Sequence, residues 1–286
     1  MRAFVAGLAL VLAACAAPAA LSPPQEAQWI APGRDISAIL AKEPVACVKR
    51  SHNKLESEAI RRGEIAFNSP FLLGGQAAKQ GISCAACHRN GRGNPDFFFA
   101  GLSDAAGRVD VSQAFFGPAR EDHRDNPVKI PDLALPEGQK MVDRADDQAL
   151  TAFLTSQIID EFHARAPGQT VLDGLKAYLR SIDTANCAPD AVQKVRMEGF
   201  LALGLDAYRT SFAVDNAADR AFFRDSARHF LRKTHDRLAG KGAKSLRQRL
   251  VLASAQMEKG ADFADIEADL QTISRQIAAR STQLTR

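Results

Sequence analysis

Cys84-Ala85-Ala86-Cys87-His88 gathers three side chains able to do chemistry within five residues. Two thiols three residues apart can reach the two vinyl groups on one edge of a porphyrin and form thioethers. The next residue then points its imidazole at the iron. The spacing predicts one covalently attached haem c, held through Cys84 and Cys87 with His88 as an axial ligand. Other uses of C-x-x-C need partners that this part of the chain lacks. A zinc centre wants a second ligand pair, and no other C-x-x-C or H-x₃₋₅-H pair lies near it in the sequence. A redox dithiol has no use for His88 and usually sits in a βαβ pattern, which is absent.

The other cysteines point to a compartment. Arg2 precedes an apolar run, Ala3 to Leu12, followed by small residues, which is the layout of a secretory signal over residues 1–20. The run is too short to span a bilayer. Leu12-Ala13-Ala14-Cys15 resembles a bacterial lipobox, in which Cys15 becomes the lipidated first residue of the mature chain. The alternative is cleavage near Ala17-Pro18-Ala19, which discards Cys15 and leaves a soluble periplasmic protein. Either way the expectation is export to a bacterial periplasm, with a membrane anchor at Cys15 in the first case. Of the five cysteines, Cys47 and Cys187 then remain. An oxidising compartment allows them to form a disulfide.

The 286 residues are 46% apolar and 24% charged, a globular balance, and a net charge of +4 does not point to a nucleic-acid binder. Residues 21–56 read as a tether, broken by Leu21-Ser22-Pro23-Pro24 and Ala31-Pro32-Gly33. A helix is expected from Ser57, as its N-cap, to Phe67. Asn90 to Pro136 has no sustained period and reads as a long loop that an apolar haem surface would organise. Helices resume at about 146–163 and 171–182. Asn186-Cys187-Ala188-Pro189 marks a boundary, and four helices follow, at about 190–213, 218–238, 245–258 and 263–281. The expected architecture is all-α: a 57–187 haem domain, then a helical hairpin or bundle over 188–286. Arg220, Arg224, Arg228 and Arg232 recur every four residues along one helix face. They read either as a solvated face, partly neutralised by Glu258, Asp262, Asp265, Glu267 and Asp269, or as a dock for an acidic redox partner or anionic lipid headgroups.

Around the haem motif the chain resembles known families. Arg62-Gly63-x-x-x-Phe67 and Leu175-Lys176-Ala177-Tyr178-Leu179-Arg180 look like the first and last helices of class I cytochromes c. In that fold the glycine lets the two helices cross closely. Phe67-Asn68-Ser69-Pro70, Lys129-Ile130-Pro131-Asp132-Leu133 and Met141-Val142-Asp143 look like segments of the bacterial cytochrome c peroxidase and MauG-like family. The resemblance covers about residues 57–185. It implies a cytochrome c fold, with Met141 as the distal ligand. The peroxidase activity does not carry over, because those enzymes hold two haems and Val142 stands where they have histidine.

The distal position stays open between Met141, the histidines His163 and His123, and an open or water-filled site. The function expected is one-electron transfer between periplasmic redox partner proteins. Two alternatives remain: a peroxidase-like haem enzyme, and a haem-based sensor or assembly factor.

Overall fold

The computed structural model describes residues 23–279 apart from Pro189 and Lys241. The signal segment 1–20, with Cys15, lies outside the described residues. The helices are α1 (Ile36–Leu40), α2 (Lys54–Asn68), α3 (Gly75–Gln80), α4 (Cys84–Cys87), α5 (Pro136–Gln139), α6 (Asp147–Ser156), α7 (Gln169–Ser181), α8 (Met197–Ala213), α9 (Ala217–Arg237), α10 (Ala243–Glu258) and α11 (Phe263–Ala278). Four short strands accompany them: β1 (Lys42–Pro44), β2 (Arg108–Val109), β3 (Val128–Lys129) and β4 (Val192–Lys194). They pair antiparallel as β1 with β4 and β2 with β3. The protein is therefore mostly helical, with two small sheets that an all-α expectation did not contain.

The Cys84–His88 turn sits beside a helix crossing. α2 starts four residues earlier than expected, because Asn53 rather than Ser57 caps it: the Asn53 Oδ1 accepts the Glu56 N–H at 3.2 Å. α2 then lies across α7, where Gly63 and Gly174 face each other so closely that a Cβ on Gly63 would run into the Gly174 carbonyl. Phe67 and Tyr178 fill the crossing, with ring centroids 5.2 Å apart. A mid-helix glycine costs roughly 1 kcal/mol relative to alanine. Here that cost is offset by backbone approach.

Residues 23–56 are not a free tether. Gln25–Trp29 forms a 3₁₀ turn that buries Ala27 and Trp29. Ile30 bridges to Phe97 and Val48 to Ile182. β1 pairs with β4, Lys42 opposite Lys194, so the segment spans the expected domain boundary. Glu26 accepts ion pairs from Lys233 at 2.8 Å and Arg237 at 2.6 Å on α9. These contacts are long-range, which is why proline and glycine breakers alone suggested a linker.

α8 packs on α9 and α11, and α10 packs on α9 and α11, so the four close into a bundle. Its core is continuous with that around α2 and α7. Two polar ties cross the junction: the Ser226 hydroxyl donates to Ser69 Oγ at 2.8 Å, and Arg61 meets Asp206 at 2.8 Å. Much of the arginine stripe on α9 is engaged in pairs at the bundle's surface. Arg228 pairs with Glu258 at 3.0 Å, Arg232 with Asp236, and Arg220 donates to the carbonyls of Val214 and Asp215.

Candidate functional site

α4 is a single turn, long enough to present Cys84 and Cys87 side by side. The chain leaves it at His88, with φ −108° and ψ 69°. Asn94 folds the following loop back, donating from its side chain to the Ala86 carbonyl at 2.8 Å and from its backbone to that of Cys87 at 3.0 Å. The His88 Nδ1 lies 3.0 Å from the Pro131 carbonyl oxygen. A carbonyl only accepts, so Nδ1 carries the proton and Nε2 keeps its lone pair for a metal. Burial pushes the His88 pKa down to about 4, against the pull of Pro131 and Asp132, which keeps the ring neutral.

Neither thiol is in a disulfide, and both keep some accessible surface. Burial raises the Cys84 thiol to about 12, with the Glu161 charge adding to it. Cys87 is raised by burial and then by Cys84 and Glu161. The other side of α4, carrying Ala85 and Ala86, faces a cleft of about 290 Å³ that also touches Arg89, Lys233 and Arg237. The two faces of the turn are thus divided between thiols and methyl groups.

A chain of aromatic rings belongs to the same apolar core that Cys84 and Cys87 pack against. Phe99 and Phe115 lie 5.1 Å apart, Phe115 and Phe116 5.2 Å, and Phe116 and Phe162 5.1 Å between centroids. The helix expected to run to residue 163 instead widens into a π turn over Gln157–Glu161. π turns are frequent at functional sites. This one buries Glu161, whose Oε2 accepts from Arg120 Nη1 at 2.5 Å. Arg120 Nη2 also donates to Ser156 Oγ at 2.7 Å. Burial lifts the Glu161 carboxyl to about 7 even though Arg120 pulls it down. Sequence reasoning missed this pair: Arg120 belongs to the run 120–125, which reads as exposed, and only an acid inside an apolar stretch marks Glu161.

The remaining candidates are dispersed. Met141 lies in the turn after α5 with its residue 49% exposed. The turn is pinned by Arg144, which donates to the carbonyls of Leu133 at 2.7 Å and Leu179 at 2.8 Å. His123 and His163 are exposed residues in left-handed backbone, φ 55° and 54°. Cys47 and Cys187 form a disulfide with Cα atoms 5.0 Å apart, closing a separation of 140 residues.

In their chemistry the residues present fit a covalent haem: two thiols outside any disulfide at thioether spacing, and a neutral imidazole whose Nδ1–H is already taken by Pro131. Among the described residues no group of three or more His, Cys, Asp or Glu side chains is placed to hold a metal ion. A porphyrin brings four nitrogens of its own, so it needs no such group, whereas a zinc centre does. Compared with protein-family models, curated proteins and solved structures, the chain finds no match. No helix among the described residues is long and apolar enough to cross a membrane.

Proposed function

We propose that this chain is an exported c-type cytochrome with a cytochrome c fold, passing single electrons between periplasmic partners. The observation that carries the reading is His88 tied through Nδ1 to Pro131 beside two free, accessible thiols on one turn of helix. A haem c bound there supplies a one-electron couple. Cys84 and Cys87 fix its edge, and His88 ligates from a ring whose tautomer is already set. Apolar surface from the phenylalanine cluster, where it lay against a haem bound there, would disfavour the more charged oxidation state. Met141, turned inward, would hold the iron through its thioether, a donor that would favour Fe(II) and raise the potential. Lipidation at Cys15 would hold the molecule at the membrane surface, and exposed cationic side chains would meet acidic partners.

The test is haem retention. Wild-type protein should keep its haem through acid–acetone extraction, and Cys84→Ala with Cys87→Ala should yield apoprotein. Extractable haem in the wild type would refute the reading.

One observation favours a second reading, a peroxide-reactive haem enzyme: the buried Glu161, with a pKa of about 7, beside Arg120. Such a carboxyl can hold or release a proton at neutral pH. A visible spectrum separates the two, since six-coordinate low-spin iron leaves no position for peroxide.

A further inference from the structure

The His88 imidazole is held by a series of contacts that begins at the disulfide. Arg92 is buried, with its Nη1 3.2 Å from Cys47 Sγ and 3.7 Å from Cys187 Sγ. Its Nε donates to Asp132 Oδ2 at 2.7 Å, between side chains 7% and 16% exposed. The other oxygen, Oδ1, accepts the Ala134 N–H at 2.9 Å. Asp132 directly follows Pro131, whose carbonyl takes the His88 Nδ1–H at 3.0 Å. Leu133 donates to the Gly91 carbonyl at 3.1 Å, fastening the same segment from its other side. Gly138 packs against the Asp132 backbone with no space for a Cβ. Ahead of Pro131 the Ile130 N–H donates to the Gly107 carbonyl at 2.9 Å, so the carbonyl on His88 sits in a stretch anchored at both ends.

Resting on the haem reading, we propose that Arg92 and Asp132 are positioning residues for the axial histidine, with the Cys47–Cys187 disulfide as their anchor. A carbonyl held firmly on Nδ1 gives the imidazole partial imidazolate character and makes it a stronger donor to iron. A stronger donor stabilises Fe(III) and lowers the potential. Loosening the clamp raises it.

This assignment has a sign that a plain charge effect lacks. Deleting the Arg92 cation, if charge were its whole contribution, would favour the more positive Fe(III) state and lower the potential. Deleting it as a clamp frees the Pro131 segment, weakens the donor and raises the potential.

The experiment compares full-length wild type, Arg92→Met, Arg92→Lys, and the double variant Cys47→Ser with Cys187→Ser. Acid–acetone extraction, far-ultraviolet circular dichroism and the midpoint potential are measured on each. We expect a shift to higher potential in Arg92→Met, most of it reversed in Arg92→Lys. The double cysteine variant, which changes no charge, should shift the same way. A lower or unchanged potential in folded Arg92→Met overturns the proposal. If that variant does not fold, an unchanged potential in the cysteine variant overturns it instead. Haem lost from the wild type on extraction overturns the haem reading and this inference with it, an outcome recognised before any variant is compared.

Discussion

Glu161 accepts from Arg120 at 2.5 Å, and burial nonetheless raises its carboxyl to about 7, from an ordinary 4.5. A carboxylate ion-paired at the surface would shift the other way. The pair is held by the π turn Gln157–Glu161 on one side and by the loop carrying Arg120 on the other.

That shift has a stability consequence with a definite sign. Between about pH 4.5 and pH 7 the folded state binds more protons than the unfolded one, so stability falls as pH rises through this window. At ~1.4 kcal/mol per pKa unit the loss is about 3 kcal/mol. Urea unfolding across this range should show the decline, and Glu161→Gln should flatten it. A decline of equal size in the variant would assign the effect to another group.

The glycine pair at the α2–α7 crossing predicts a packing defect. Gly63→Ala places a methyl group against the Gly174 carbonyl and the Tyr178 Cβ, where backbone must move to admit it. Overpacking of this kind costs ~3 kcal/mol. Gly199 has open space around it, so Gly199→Ala is the matched control, and its thermal midpoint should not fall.

Docking of the N-terminal segment depends on Glu26. Burial alone would raise its carboxyl, but Lys233 and Arg237 outweigh that and hold it far below the usual carboxylate range. This contribution is present above about pH 4.5 and is lost as pH falls further. Glu26→Ala leaves two cations without their shared partner, at a cost of about 3 kcal/mol. Limited proteolysis should then cut within residues 30–50 while the wild type resists.

The disulfide closes a long loop. In the chain-entropy model a separation of 140 residues is worth at most about 5 kcal/mol. Cys47→Ser with Cys187→Ser should lower the urea midpoint accordingly. In unreduced, denatured wild type these two positions should give no reaction with a thiol reagent.

Met141 is half exposed, so ligation would require it to turn inward. With Met141 as a ligand, the ferric protein should show the weak near-infrared sulfur-to-iron band. Met141→Ala should abolish that band, lower the potential and admit cyanide or carbon monoxide. An unchanged spectrum and potential would return the site to His163, His123 or water.

What local pattern could show, the sequence determined by itself. The thiol pair and His88 are neighbours in the chain, so their grouping was legible from spacing. The long helices were legible because an apolar stripe repeats along each. α9 was expected at 218–238 and lies at 217–237; α7 was expected at 171–182 and lies at 169–181. Gly63 announced a close crossing, and the leftover cysteines announced a disulfide. Only the tertiary structure decided that Gly174 faces Gly63, that residues 23–56 dock on the body, that Arg92 links the disulfide to Asp132, and that Arg120 reaches Glu161. Each of those joins residues 40 or more positions apart. A charged residue in a polar loop looks the same in sequence whether it faces water or a buried carboxylate, because its partner is chosen by how the chain folds back.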